Sequence, residues 1–296
     1  MLIDGTPLTI SLTIIGAGRV GKTLARCMYQ HATAQVVDVV TRSAESANAA
    51  VDFIGAGTAR WQMDALADAR VFMLTVPDDQ IADHCMQLVR SGKLGPGSVV
   101  FHCSGALSSA DLQTAREAGA AVASVHPIRS FADPAFVSAH FANTYCGIEG
   151  DASALAVLSP LFNAIGAILV PVQNTSKTLY HAAAVFASNY VVSMIGVAQE
   201  AFVAAGLPAD SALAILLPLT RETIENVARL GPAAALTGPI ARGDAAVVAR
   251  QHDAVRNWDQ QYGALYEQLA IATQRLAASR EASDLSSEPS SESAKR

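Results

Sequence analysis

Three glycines near the N-terminus have the spacing of a phosphate-binding turn. Gly16, Gly18 and Gly21 follow the pattern G-x-G-x-x-G between a β-branched run and an amphipathic helical stretch. In such a turn the first glycine permits the tight bend, the second lets a pyrophosphate approach the backbone, and the third lets helix and strand pack closely. The helix N-terminus adds N–H donors and a positive dipole. The motif therefore predicts dinucleotide binding rather than an empty strand-to-helix turn, with contacts from Gly16, Ala17, Gly18, Arg19, Val20 and Gly21.

The end of the second predicted strand indicates which dinucleotide binds. A protein that binds NAD usually carries Asp or Glu about 20 residues after the glycines, where it holds the ribose hydroxyls. This chain has Thr41-Arg42-Ser43 there instead. A guanidinium pairs with a 2′-phosphate and stacks on adenine, and the two hydroxyls are further donors. The alternative is a solvated arginine at a strand end, but the pattern favours NADP(H) over NAD(H).

Three later strand ends carry unusual residues. Ligands of doubly wound sheets bind beyond the carboxyl ends of the strands. We interpret Val76-Pro77 as a wall around the adenosine and nicotinamide, although Pro77 also suits the start of a helix. Ser104-Gly105 and His126 are predicted at the reacting end of the site, with Arg129 binding substrate.

A polar stripe follows an otherwise Ala- and Val-rich helical stretch. Lys177 and His181 are separated by one helical turn, and Ser188-Asn189 lies further along the same side. A reductase needs a proton donor near the group that receives hydride, and both Lys177 and His181 suit that role if their pKa values are tuned. We assign Asn189 to substrate binding. The alternative is an exposed Lys177 in the first turn and a hydrogen-bonded interface His181.

A turn-rich loop, Leu236–Asp244, precedes a later helix. Asp244 is explained as a helix-capping or first-turn acid. Arg242 has no comparable structural explanation, and its planar donor set suits a substrate carboxylate or phosphate. We therefore predict that Arg242 binds an anionic substrate group.

The elements that must position these residues alternate between short strands and helices up to residue 172. This alternation predicts an α/β fold with a doubly wound, mostly parallel sheet. After that point the pattern is helical, so we predict a Rossmann domain over 1–172, a helical substrate and dimerisation domain over 173–279, and a disordered serine-rich tail over 280–296. Strands are expected at 8–15, 36–41, 71–76, 99–102, 121–126, 144–148 and 167–172.

Composition excludes several classes of protein. The net charge is −6, so nucleic-acid binding is not expected. The four cysteines show no C-x-x-C pair, which favours reduced thiols in a cytoplasmic protein without a metal site. No basic segment precedes the first apolar run, so a signal peptide is not expected. The apolar stretch 181–207 is interrupted by polar residues, and we interpret it as a buried helix rather than a membrane span.

Five motifs in order give the chain a family resemblance. They are G-A-G-R-V-G, H-C-S-G-A, H-P-I-R-S-F, K-x-x-x-H-A-A-A-V-F-A-S-N-Y and T-G-P-I-A-R-G-D. The chain resembles a bacterial family that pairs a Rossmann-like NADP-binding domain with a helical domain of unknown function, DUF2520. More distantly it is similar to β-hydroxyacid dehydrogenases, ketopantoate reductases, pyrroline-carboxylate reductases and deazaflavin-dependent NADP reductases.

The resemblance implies an NADP-linked oxidoreductase with its active site between two domains and a homodimer formed through the helical domain. Lys177 aligns with a lysine that does acid/base work in the distant relatives, whereas His181 stands where they have asparagine. We predict hydride transfer between NADPH and a small carbonyl or imine substrate with an anionic group, with Lys177, His181 and His126 as catalytic residues. The alternative is a non-catalytic NADP(H)-binding sensor on the same fold.

Overall fold

The structure, a computed structural model, describes residues 2–3, 6–7 and 10–287. The chain divides into two compact units, Met1–Ser188 and Asn189–Arg296. The predicted boundary after residue 172 stays a prediction, and it lies before the last helix of the first unit.

The first unit is built on an eight-stranded sheet. Its order is β10-β9-β8-β7-β6-β3-β4-β5, with β1 and β2 as a separate antiparallel pair. Strands β3 to β8 pair in parallel, whereas β9 is antiparallel to β8 and parallel to β10. The strands are β1 (Leu2–Ile3), β2 (Thr6–Pro7), β3 (Ile10–Ile15), β4 (Ala34–Val40), β5 (Thr58–Arg60), β6 (Val71–Leu74), β7 (Val99–His102), β8 (Ala121–Pro127), β9 (Tyr145–Gly150) and β10 (Ile168–Pro171).

This topology confirms the predicted α/β fold with a doubly wound, mostly parallel sheet. The first strand of the sheet, β3, has β4 on one side and β6 on the other, so the chain reverses its direction of winding there. Such a switch point opens a crevice at the carboxyl ends of the strands. Sequence analysis missed β5, because three residues of the type Thr-Ala-Arg carry no clear period-two pattern.

Helices cover both faces of the sheet in the first unit. Along β6, Val71 and Met73 face one apolar cluster, and Phe72 and Leu74 face the other. This alternation with period two is what a sheet buried on both faces requires. The helices are α1 (Arg19–Gln30), α2 (Ala44–Ile54), α3 (Ile81–Arg90), α4 (Gln113–Glu117), α5 (Pro134–Ala139), α6 (Ala152–Ala164) and α7 (Lys177–Ala187).

The second unit consists of helices over its described residues. Its helices are α8 (Asn189–Ala204), α9 (Ala209–Leu230), α10 (Pro232–Ala235), α11 (Ala245–Trp258) and α12 (Gln260–Ser287). The apolar stretch 181–207, which we interpreted as one helix, lies in two helices, α7 and α8, because the backbone at Ser188 leaves the helical region (φ −127°, ψ −72°). Helix α12 continues to Ser287, past residue 280, where we expected a disordered tail; its Ala- and Glu-containing run favours helix. Residues 288–296 of that tail lie outside the described residues.

The apolar stretch at the junction of the units is more exposed than expected. By length and composition Asn174–Ala204 is apolar enough to cross a membrane, and none of its most apolar window is buried. The expectation of a buried helix was therefore wrong for the isolated chain, since Leu179 and Val192 are 77% and 70% exposed. One such segment is weak evidence for a membrane protein.

Candidate functional site

The glycine turn between β3 and α1 depends on missing side chains. Gly16 has φ +87°, and a Cβ there would lie 2.6 Å from Val76 Cγ1. A Cβ on Gly21 would lie 2.1 Å from Thr75 Oγ1, so this glycine lets α1 pack against the end of β6. A Cβ on Gly18 would meet nothing within 4 Å. Gly16 and Gly21 therefore fix the shape of the turn, whereas the backbone at Gly18, which begins α1, is open to a ligand.

A cleft of about 530 Å³ opens above this turn. Among the predicted cofactor contacts, Gly16, Ala17, Gly18, Thr41, Arg42, Val76 and Pro77 line the cleft. Arg19, Val20, Gly21, Ser43, Ser104 and Gly105 are not part of its lining. The residues that sequence analysis missed are Ile15, Val40, Ser46, Trp61, Gln62, Met63, Thr75, Gln80, His84 and Gln87.

After β4, Thr41 and Ser43 make structural hydrogen bonds, whereas Arg42 is exposed to the cleft. Ser43 caps α2, because its Oγ accepts a hydrogen bond from the Ser46 N–H at 3.2 Å. Thr41 Oγ1 donates to the backbone oxygen of Ser43 at 2.9 Å. Arg42 is exposed beside these hydroxyls and lines the cleft. The nearest acid upstream, Asp38, is buried and pairs with Arg60 Nε at 2.8 Å, so its carboxylate is not available to a ribose.

An exposed tryptophan lies on the same side of the cleft as Arg42. Trp61 directly follows β5, and the parallel register of Val40 with Arg60 brings the chain after β5 next to the chain after β4. The Trp61 side chain is 56% exposed, which is unusual for so large an aromatic residue. An indole and a guanidinium at one end of a cleft are suited to the two faces of a purine. The short β5 gave no sequence signal that would have located Trp61 here.

A second group of side chains lies above β7 and β8, and we call it the histidine cluster. It consists of Ser104, Gly105, Ser124, His126, Lys177, Tyr180 and His181. Helix α7 contributes its members at positions i, i+3 and i+4, which lie on one face of a helix. The cluster therefore brings together Ser104, Gly105, His126, Lys177 and His181, five of the residues that sequence analysis singled out.

Because Gly105 has no side chain, two imidazole nitrogens lie close against its backbone, and we call the space that they share the gap at Gly105. A Cβ at Gly105 would lie 2.2 Å from His181 Nδ1 and 2.8 Å from His126 Nε2. Over the described residues, His181 Nδ1 is buried without a hydrogen-bond partner. A buried polar nitrogen without a partner costs free energy, so its position indicates that a small polar group completes the site.

Lys177 is buried beneath this gap. Its side chain is only 2% exposed, and Nζ donates to the Ser104 backbone oxygen at 3.0 Å and to Ser124 Oγ at 2.7 Å. Burial lowers the pKa of Lys177, and Glu149, Cys103 and Asp78 partly offset that effect. The alternative of an exposed lysine in the first turn is therefore wrong. Lys177 links the loop after β7 to strand β8, directly beside the histidines.

The loop that carries Ser104 and Gly105 is held by buried polar groups. His102 Nδ1 accepts a hydrogen bond from the Ser104 N–H at 3.2 Å, and its Nε2 lies 2.9 Å from the Ser108 backbone oxygen. Ser104 Oγ donates to Asp78 Oδ2 at 2.8 Å, which joins the loop after β6 to the loop after β7. Glu149 accepts two hydrogen bonds from Ser109 at 2.7 Å. The position of Gly105 is thus fixed from three directions.

His126 is held by its neighbour on α7. Its Nδ1 lies 3.1 Å from Tyr180 Oη, and its ring meets the His181 ring edge-to-face with centroids 5.4 Å apart. Burial, and then the charges of Lys177, His181 and His102, lower the pKa of His126 to about 4. His126 is therefore a neutral imidazole at physiological pH. Tyr180 itself was missed by sequence analysis, because an isolated tyrosine in an apolar helix is indistinguishable from a core residue.

Among the described residues, no hydrogen bond or ion pair joins the three predicted substrate-binding residues to this cluster. Arg129 Nη1 donates to the backbone oxygen of His140 and to Thr144 Oγ1, so it ties α5 to the start of β9. Asn189 is exposed at the start of α8 in the second unit. Arg242 pairs with Asp244 Oδ2 at 3.1 Å. Arg242 therefore has a structural partner, Asp244. Sequence analysis did not find this pair, because we explained Asp244 as a helix-capping or first-turn acid.

No metal centre appears in the described part of the chain, where no group of three His, Cys, Asp or Glu side chains is arranged around a common point. All four cysteines are free thiols. Burial raises the pKa of Cys103, which lies in the loop after β7, and this keeps the thiol protonated. The polar groups that the cluster offers are the imidazoles, the lysine and the hydroxyls.

Two family models match the chain, a Rossmann-like domain over residues 4–127 and the domain of unknown function DUF2520 over residues 144–273. Neither model covers half of the chain, and the two matches follow each other in the order that the motifs indicated. This confirms the resemblance inferred from the motifs. The DUF2520 match begins inside the sheet, at the start of β9, and includes α7 with Lys177 and His181.

Solved structures with the same fold include two oxidoreductases by name. A candidate NADP oxidoreductase from Bacteroides fragilis is 22% identical, with a TM-score of 0.73 over 90% of this chain and 98% of that one. A Thermotoga maritima protein whose name states no activity is 25% identical, with a TM-score of 0.69 over 91% and 99%. A Plasmodium falciparum pyrroline carboxylate reductase with NADP bound is 14% identical, with a TM-score of 0.57 over 90% and 98%. A comparison with curated proteins gives no match.

Proposed function

We propose that this protein is an NADP(H)-dependent oxidoreductase that transfers a hydride to or from a small carbonyl or imine substrate. The observation that carries the proposal is the cleft above Gly16 and Gly18, which has Arg42 at its side and no free carboxylate at the ribose position. The histidine cluster, above the neighbouring strands, supplies the groups that proton transfer requires.

The residues of the cleft fit the chemistry of NADP. The backbone at Gly18 is open at the N-terminus of α1, where N–H groups and the helix dipole favour a pyrophosphate. Arg42 offers a charged, planar donor set to a 2′-phosphate, and Ser46 adds a hydroxyl at the N-terminus of α2. Trp61 provides an apolar face for adenine. An NAD-specific site would instead need an acid in the place of Arg42.

The histidine cluster can hold the group that reacts. Bound NADPH supplies a hydride, which is added at a carbonyl or imine carbon while a proton is added at the oxygen or nitrogen. His126 Nε2 and His181 Nδ1 lie side by side against Gly105, and we assign to them the hydrogen bonds to that oxygen or nitrogen. Lys177, with its lowered pKa, lies beside them and can exchange the proton. These three residues are the catalytic residues of the proposal.

An imine or carbonyl acid is the substrate class that we favour. The Plasmodium falciparum structure of the same fold is named as a reductase of pyrroline carboxylate, a cyclic imine with a carboxylate group. An uncharged hydrogen-bond donor at the reacting atom, which His126 provides, suits a neutral carbonyl or imine. Arg242 stays our prediction for the residue that binds the anionic group.

The proposal is tested first by titration with NADPH and NADH, followed by fluorescence. We expect tight NADPH binding, weak NADH binding and a loss of that preference in Arg42→Ala, since only NADPH has the 2′-phosphate with which the guanidinium pairs. Arg70→Ala is the matched control, because Arg70 lies just before β6, at the amino-terminal end of the strand, whereas the cleft lies at the carboxyl ends. Failure of both nucleotides to bind would overturn the proposal.

A measurement of turnover then distinguishes an enzyme from a non-catalytic binding protein. We expect Lys177→Met to lose at least tenfold in kcat with NADPH affinity unchanged, because the lysine lies in the histidine cluster and not in the nucleotide cleft. Lys93→Met, at an exposed ion pair with Asp68, is the control. Binding of NADPH without turnover of any keto or imino acid would favour the sensor alternative.

We also propose that the helical unit forms a homodimer. Helices α8 and α9 expose several large apolar side chains, among them Val192 (70%), Leu219 (56%) and Ile224 (56%). Apolar exposure of this kind along two helices is typical of a protein interface. Light scattering at micromolar concentration should give twice the chain mass. A single monomeric species would contradict this part of the proposal.

A further inference from the structure

Tyr180 occupies a position in the histidine cluster that the proposed reaction does not yet use. Its hydroxyl lies 3.1 Å from His126 Nδ1, and its ring meets the His126 ring edge-to-face at 5.6 Å. On its other side the hydroxyl lies against strand β9, where a Cβ on Gly147 would be only 2.4 Å from Oη. The absence of a side chain at Gly147 is therefore what lets the hydroxyl reach His126.

The direction of the hydrogen bond follows from the surroundings of Tyr180. Burial raises the pKa of its phenol to about 12, so Tyr180 keeps its proton at physiological pH. The described hydrogen bonds give the Tyr180 hydroxyl one partner, His126 Nδ1. The buried phenol proton is satisfied only if it is donated to this nitrogen, so Nδ1 must be the acceptor.

An imidazole that accepts at Nδ1 carries its proton on Nε2 when it is neutral. His126 Nε2 is the nitrogen that faces the gap at Gly105. The charged and titratable groups around the ring do not favour a second proton: Lys177 and His181 approach from α7, and His102 approaches from β7. Tyr180 thus determines which nitrogen of His126 presents an N–H to the reacting group.

We propose that Tyr180 is a positioning residue that holds His126 as the Nε2–H tautomer, so that His126 is a neutral hydrogen-bond donor to the carbonyl oxygen or imine nitrogen at Gly105. This inference rests on the proposed function. His126 in this state stabilises negative charge that develops on the oxygen or nitrogen as hydride arrives at carbon. His181 and Lys177 are then the groups that deliver the proton, since His126 keeps its own.

The direct test is the tautomer of His126 in protein labelled with ¹⁵N at histidine, with and without NADPH. In the wild type we expect the shifts of a neutral Nε2–H imidazole, identified by comparison with His126→Gln. In Tyr180→Phe we expect a mixture of tautomers, with NADPH affinity unchanged and kcat reduced at least tenfold.

Tyr145→Phe is the matched control, because it removes an exposed phenol from the same strand β9 that Tyr180 contacts. Gly147→Ala provides a second variant, since its methyl group displaces the Tyr180 hydroxyl without removing it, and the same mixture of tautomers is expected. An unchanged Nε2–H tautomer in both variants, with NADPH still bound, would overturn the inference and leave the proposed function intact. Loss of NADPH binding in the wild type would overturn the proposed function instead.

Discussion

The nucleotide cleft and the histidine cluster lie over neighbouring strands of one sheet, yet they are built in different ways. The cleft is lined by backbone and by exposed side chains, including Arg42 and Trp61. The cluster is built from buried groups that hydrogen-bond to one another, with Lys177 as the link between two strands. The hydrogen bond from Ser104 to Asp78 connects the two regions.

This difference corresponds to two physical requirements. A nucleotide supplies its own charge and its own apolar face, so the protein needs only a shaped backbone and a few exposed side chains. A proton-transfer site must shift pKa values and fix directions, and both require burial and hydrogen-bonded neighbours. We expect substitutions in the cleft to change nucleotide affinity with little effect on turnover, and substitutions in the cluster to do the opposite.

The largest effect is expected for Gly105→Ala. The new methyl group would lie 2.2 Å from His181 Nδ1 and 2.8 Å from His126 Nε2, so both rings must move from the gap. Displacement of a catalytic group by about 1 Å costs roughly 100-fold in rate. We therefore expect kcat to fall about 100-fold or more while the Kd for NADPH stays within about twofold.

The control for Gly105→Ala is Gly95→Ala, where the added methyl group meets nothing within 4 Å. For both variants, kcat is measured by steady-state kinetics and the Kd for NADPH by titration. If Gly105→Ala weakened NADPH binding and spared kcat, the gap would belong to the nucleotide cleft, and the comparison between the two regions would be wrong.

The next effect is on stability against acid. The pKa of His126 is lowered to about 4 from an ordinary 6.5. Between pH 6.5 and pH 4, the unfolded chain therefore binds a proton at this histidine that the folded protein does not bind. The free energy of unfolding should therefore be highest above pH 6.5 and fall as the pH drops towards 4. The loss from this histidine is up to about 3 kcal/mol, and buried His102, whose pKa is also lowered, acts in the same direction.

Urea denaturation between pH 7 and pH 4 measures this dependence. In His126→Gln the slope of unfolding free energy against pH should be smaller than in the wild type, with His102 accounting for part of what is left. His140→Gln, which replaces an exposed histidine, is the control variant. Equal slopes in the wild type and His126→Gln would show that His126 is not kept neutral by its surroundings.

The sequence predicted the cleft and the cluster to different extents. The glycine turn and Arg42 were found because their positions along the chain are fixed by the first strand, the first helix and the second strand. Lys177 and His181 were found from helical spacing. Their relation to Gly105 and His126 depends on how α7 packs over β8, which no local pattern determines. Tyr180 and Trp61 were missed for the same reason, since an aromatic residue becomes a site residue only through its tertiary neighbours.

The smallest effect is expected at Trp61, the cleft residue without a sequence signal. If its indole stacks on adenine, Trp61→Leu should weaken NADPH binding about fivefold, which corresponds to about 1 kcal/mol, and should leave kcat unchanged. Trp61→Phe keeps an aromatic face and should lose less affinity. The chain has only two tryptophans, so Trp258→Phe leaves Trp61 as the sole indole, and its emission should be quenched on addition of NADPH. An emission that does not respond would place the adenine elsewhere, and Arg42 would then be the only described side chain that distinguishes the cleft from an NAD site.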